Sequence, residues 1–105
     1  MNKYRNKPVT VDGHRFASKA EAKRYGELKL LEKAGEITRL TLQARYRLTV
    51  NGVKICDYIA DFAYLSGPKN TLTVEDVKGV RTAVYRIKKK LMKAIYGIDI
   101  VEIEA

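Results

Sequence analysis

The chain has 105 residues, with 21 Lys and Arg against 12 Asp and Glu, giving a formal charge of +9. Apolar residues make up 46%, enough for a core, which excludes a disordered tail. No apolar run approaches the ~20 residues of a transmembrane helix. The single cysteine, Cys56, excludes an internal disulfide and a multi-Cys zinc site. The length predicts one domain, and the lack of a basic-then-apolar leader predicts a cytoplasmic protein. The positive charge favours a polyanionic partner, nucleic acid first among them.

Met1 to Pro8 is polar and basic and reads as a flexible arm. Asp12-Gly13, between Val9-Thr10-Val11 and His14-Arg15-Phe16, is a two-residue hairpin signal. Ser18-Lys19-Ala20-Glu21 is a capping box that opens a helix over about 18–34. Tyr25, Leu28, Leu31 and Ala34 form its predicted apolar stripe, and Gly35 its stop. Tyr46 to Val50 alternates as a strand, and Asn51-Gly52 turns it into Val53 to Leu65. That second strand is apolar on both faces around Ile59 to Ala63, so it is central and covered twice. Leu72 to Lys78 is the next strand. A second helix spans about 82–96, with Val84, Ile87, Leu91 and Ile95 as its predicted buried stripe and Gly97 as its stop. Ile98 to Ile103 is the last strand, parallel to Leu72–Lys78 through a right-handed crossover. The predicted class is α/β, one mixed sheet with helices packed on it.

Few acidic residues are available, and some sit among apolar neighbours where a charge is costly. Asp61 lies inside the central strand. Asp76-Val77-Lys78 ends the next, with Asp76 and Lys78 on one face. Glu21 starts the first helix. Two or three carboxylates suffice for Mg²⁺, which takes oxygen ligands and keeps several waters. Such an ion polarises a phosphate and activates water, and a lysine can stabilise the charge that develops.

Ala60-Asp61 followed by Asp76-Val77-Lys78 resembles the PD-(D/E)XK nuclease signature, with Ala in place of the variable proline. Ser18-Lys19-Ala20-Glu21 resembles the helix-borne glutamate motif of that superfamily. The order helix, three strands, helix, strand is similar to its αβββαβ, restriction-endonuclease-like core. Together with Leu42-Gln43, Ala60-Asp61-Phe62 and Val74-Glu75-Asp76-Val77-Lys78-Gly79, the pattern resembles a small phage family of PD-(D/E)XK-like proteins. Endonuclease I-type enzymes and Holliday-junction resolvases are the functional relatives it suggests. The resemblance covers roughly residues 14–103.

It implies that the whole chain, 1–105, is one nuclease-like domain with Mg²⁺ as cofactor and Mn²⁺ as its substitute. Glu21, Asp61, Asp76 and the Val77 carbonyl are the implied metal ligands, and Lys78 the catalytic lysine beside the three carboxylates. Arg15, Lys19, Arg81, Lys88 and Lys89 are the expected DNA contacts. Gln43 receives no role. The expected activity is phosphodiester hydrolysis in DNA, branched or duplex, by a homodimer acting in the host bacterial cytoplasm. The alternatives are a non-catalytic nucleic-acid-binding module and an accessory protein of phage assembly.

Each residue also has a plainer explanation. Glu21 can be a capping glutamate bonded to the Ser18 amide. Asp61 can be a structural hydrogen-bond acceptor or pair with Lys78, and Asp76 with Lys78 can be a same-face ion pair. Glu75 and Asp57 read as solvated or paired, His14 as exposed, and Cys56 as core. Lys88-Lys89-Lys90 is either a solvated face or a phosphate contact. One geometric condition is decisive. Asp61 and Asp76 must share a face of neighbouring strands, which requires an even loop or a bulge between them.

Overall fold

Asp12-Gly13 and Asn51-Gly52 each turn the chain back on itself. In the computed structural model, which describes residues 7–105, φ is 52° and 77° in the first pair and 50° and 78° in the second. Two successive positive φ values match a hairpin turn to the twist of its strands. The first turn joins β1 (Val9–Val11) to β2 (His14–Phe16) in a small separate sheet. The second joins β3 (Ile37–Val50) to β4 (Val53–Ser66). Residues 1–6 of the expected basic arm lie outside the described residues, and Lys7 and Pro8 are exposed.

The main sheet has the order β3-β4-β5-β6, with β5 at Thr71–Lys78 and β6 at Val101–Glu104. Neighbours are antiparallel except β5 and β6, which run parallel across the connecting helix α2 (Ala83–Tyr96). Helix α1 (Lys19–Lys33) precedes the sheet. The protein is thus an α/β fold with one mixed sheet and two helices. No helix among the described residues is long and apolar enough to cross a membrane.

Strand β3 begins nine residues before the alternating segment that sequence reveals. Thr38 pairs with Leu65 but Thr41 with Ala63, so an extra residue bulges out. Arg39 takes φ 56° there. A bulge breaks the period of two on which strand recognition rests.

Both helix stripes differ from expectation. In α1 the buried residues are Glu21, Tyr25 and Leu28, while Leu31 and Ala34 are exposed. In α2 Tyr85 and Met92 are buried, with Leu91 and Ile95 packed beside them. Val84 and Ile87 are 63% and 59% exposed. The helix is rotated by about one residue, which turns the Tyr85 hydroxyl onto Glu102 of β6 at 2.7 Å. A residue step is about 100°, and both stripes are apolar, so periodicity cannot choose between them.

The core is in two parts on opposite faces. Ala44, Leu48, Tyr58, Ala60, Ala63, Val74, Tyr85, Met92 and Ile100 form one. Phe16, Tyr25, Leu28, Ile37, Phe62 and Tyr64 form the other, against α1. Strand alternation would send Ala60 and Phe62 to the same face, yet they belong to different cores. The phase of β4 therefore switches at Asp61. Strand β3 switches at the same level, between Leu42, packed on the α1 core, and Ala44 on the other, and Gln43 there has φ 53°.

Candidate functional site

The chain returns from β4 to β5 over four residues, 67–70, because Ser66 pairs with Thr71. This is the even loop that the geometric condition requires. The ladder runs down to Phe62 opposite Glu75 and ends there. The next pair in register is Asp61 and Asp76. Instead of ladder bonds, each carboxylate takes an amide of the opposite strand. The Asp61 amide donates to Asp76 Oδ1 at 3.0 Å, and the Val77 amide donates to Asp61 Oδ2 at 2.9 Å. Below this level β5 pairs with β6 and β4 continues with β3, so the two strands part. The aspartates sit at the fork.

Glu21 arrives from α1. The Ser18 hydroxyl accepts the Glu21 amide at 3.2 Å, which fixes the first turn. The Glu21 carboxyl is buried and lies close enough to Asp61 and Asp76 to feel both charges. Burial first, then the Asp61 charge, push it up from 4.5 to about 7, against the Ala17 backbone amide. Burial also raises Asp61 and Asp76, opposed in each by a backbone amide and by Lys78. Lys78 Nζ is 3.7 Å from Asp76 Oδ2 and 3.9 Å above the centre of the Tyr85 ring. The structure thus brings Glu21, Asp61 and Asp76 together, with Lys78 beside the two aspartates.

Three neighbours carry no sequence signal. Tyr58, buried, donates its hydroxyl to Asp76. Arg24, one turn beyond Glu21, makes two bonds of 2.8 and 2.7 Å to the Glu75 carboxylate, which also accepts the Tyr64 hydroxyl. That pair ties α1 to β5 beside Asp76. Glu102 stands in register with Asp76. The Tyr85 hydroxyl, with Arg81 and Lys89 behind it, holds the Glu102 carboxyl down at about 2. These residues lie far apart in the chain, and only the sheet register joins them.

Two of the expected DNA contacts, Arg81 and Lys89, stand in partly exposed ion pairs. Arg81 bonds Glu102 at 3.0 Å and Glu104 at 2.6 Å, and Lys89 lies 3.2 Å from Glu102. Lys88 lines a cleft of about 290 Å³ together with Tyr58, Ile59, Asp76, Lys78 and Tyr85. Arg15 and Lys19 are exposed. The Val77 carbonyl belongs to the segment of β5 paired with β6, opposite Ile103. Glu75 and Asp57 are paired, the latter with Arg45 and Lys54. His14 is exposed and rests near the Phe16 and Tyr25 rings, and Cys56 packs at the margin of the larger core. A further hollow of about 330 Å³, over Ala44, Tyr46, Ala63 and Leu72, contains no acidic side chain.

The donors at the fork suit Mg²⁺ in kind: carboxylate oxygens, with no thiolate or imidazole among them. Among the described residues, no three Asp, Glu, His or Cys side chains already stand as a ligand cage. One oxygen of Asp61 and both of Asp76 are turned to amides or to Tyr58.

The Glu21 charge has a measurable cost. Unfolded, it ionises near 4.5, and folded, near 7. Between these values the folded state keeps a proton that the unfolded state has lost. Stability therefore falls as pH rises through this window, and the full penalty stands above it. In metal-free buffer, Glu21→Gln is expected to exceed wild type by about 1 kcal/mol near pH 8, allowing for solvent screening. Near pH 4 the two should be equal. Urea unfolding at both pH values checks this.

No curated protein and no solved structure matches the chain. Residues 1–101 match the family described as "Protein of unknown function (DUF1064)", and the chain belongs to that family.

Proposed function

We propose that the protein is a metal-dependent DNA endonuclease of the PD-(D/E)XK kind, using Mg²⁺ or, in its place, Mn²⁺. One observation carries this reading. Asp61 and Asp76 stand in register where β4 and β5 part, with Glu21 and Lys78 beside them. The order α1, β3, β4, β5, α2, β6 supports it too, because it resembles the αβββαβ order of restriction-endonuclease-like cores.

Glu21, Asp61, Asp76 and the Val77 carbonyl would hold the ion. Bound there, it supplies Lewis-acid polarisation of a phosphate and activation of water. Lys78 would donate to a phosphate oxygen as negative charge grows on it. Arg15, Lys19 and Lys88 would meet backbone phosphates, which orient a duplex without reading its sequence. Arg81 and Lys89, held by Glu102, would brace the cleft wall. A domain this small covers little duplex alone, so the proposal includes a homodimer that presents two sites to branched DNA.

The test is incubation of the protein with supercoiled plasmid, a hairpin and a four-way junction, with Mg²⁺, Mn²⁺ or EDTA. The expected result is nicking with either ion, none with EDTA, and preference for the junction. Binding without nicking in either ion would overturn the enzyme and favour a non-catalytic module. No salt-dependent DNA affinity would overturn both and favour an assembly role through protein contacts.

A further inference from the structure

Gln43 is held in a conformation that its residue type disfavours. Its φ is 53°, in the left-handed region where a Cβ crowds the following carbonyl. The other non-glycine residues with positive φ among those described have local reasons. Asp12 and Asn51 precede glycine in hairpin turns, Asn70 lies in the β4–β5 loop, and Arg39 sits at the β3 bulge. Gln43 lies in the stretch of the β3–β4 ladder from Thr41 to Leu48, over which the register does not change. Leu42 pairs with Phe62 and Ala44 with Ala60, which leaves Gln43 opposite Asp61. Its side chain lies near enough to the Asp61 carboxyl to offset part of the rise that burial causes there, and the residue is exposed. Backbone strain persists where the surrounding structure over-determines it, and it gathers at functional sites.

We propose that Gln43 is a positioning residue. Its carboxamide N–H holds the Asp61 carboxylate in the orientation that presents an oxygen to a divalent cation, and the change of phase that gives Gln43 its left-handed φ is what sets the amide beside it. This rests on the nuclease reading and assigns within it a residue beyond the implied ligands. Outer partners that orient a metal-ligating carboxylate are typically worth about 10–100-fold in metal affinity.

The experiment measures Mn²⁺ binding without DNA, by calorimetry and by the loss of the free-ion electron paramagnetic resonance signal, alongside thermal melts. Gln43→Gly relieves the backbone and removes the amide. It should melt higher than wild type yet bind Mn²⁺ about 10–100-fold more weakly. Gln43→Met keeps the side-chain length without the donors and should bind as weakly. Gln43→Asn keeps a carboxamide on a residue type that tolerates positive φ, and should recover part of the affinity. Wild-type affinity in Gln43→Met would overturn the proposal. Absence of Mn²⁺ uptake by the wild type would overturn the nuclease reading beneath it.

Discussion

Arg24→Ala is expected to lose about 3–5 kcal/mol of stability, the usual cost of stranding one partner of a buried ion pair. Glu75 is 1% exposed, and Arg24 covers both its oxygens at 2.8 and 2.7 Å. Without the guanidinium, the Tyr64 hydroxyl alone remains on a carboxylate cut off from water. The loss is a large share of the roughly 5–15 kcal/mol that a domain of this kind holds in total. It should move the urea midpoint by about 2 M. The contact between Arg24 and Glu27 at 3.2 Å is exposed and adds little. Replacing both members, Arg24→Met with Glu75→Leu, should restore most of the stability, because an apolar pair removes the stranded charge as well. A loss under about 1 kcal/mol in Arg24→Ala would show that Glu75 finds water or another partner.

Lys78→Met is the second large effect, and it falls on rate. The side chain lies over Tyr85 and beside Asp76 at the open end of the fork. Methionine keeps the contact with the ring and removes the charge. On the nuclease reading, the single-turnover cleavage rate should drop by about 10²–10³-fold, the usual cost of removing one donor to a developing oxyanion. DNA affinity should change far less, since one phosphate contact among several is lost. Lys78→Arg should recover little of the rate, because a planar fork does not replace a compact ammonium. Equal rates for Lys78→Met and wild type would remove Lys78 from the chemistry.

Much of this site was readable before the structure, for identifiable reasons. Asp61 and Asp76 stand out because a carboxylate among apolar strand residues is expensive. Ser18 and Glu21 stand out because a helix start has a fixed spacing, and the Ser18 hydroxyl does accept the Glu21 amide. The hairpins at Asp12-Gly13 and Asn51-Gly52 follow from turn chemistry alone. Arg24, Tyr58 and Glu102 were not readable, because each meets its partner across strands or between helix and sheet. Val84 and Ile87 misled because α2 has two adjacent apolar stripes, and the Tyr85–Glu102 bond selects the other one. Gln43 stands in the Leu42-Gln43 pattern, but nothing local in the sequence announces its φ. Its φ comes from two strands changing phase together, which is a property of the pair.

That change of phase has a mechanical consequence. Along β3 and β4 the packing partner changes at Gln43 and Asp61, with Leu42 and Phe62 in the core against α1 and Ala44 and Ala60 in the core against α2. The carboxylates at this level are therefore anchored from both faces of the sheet at once, beside Glu21 of α1 on one and beside Tyr58 and Lys78 on the other.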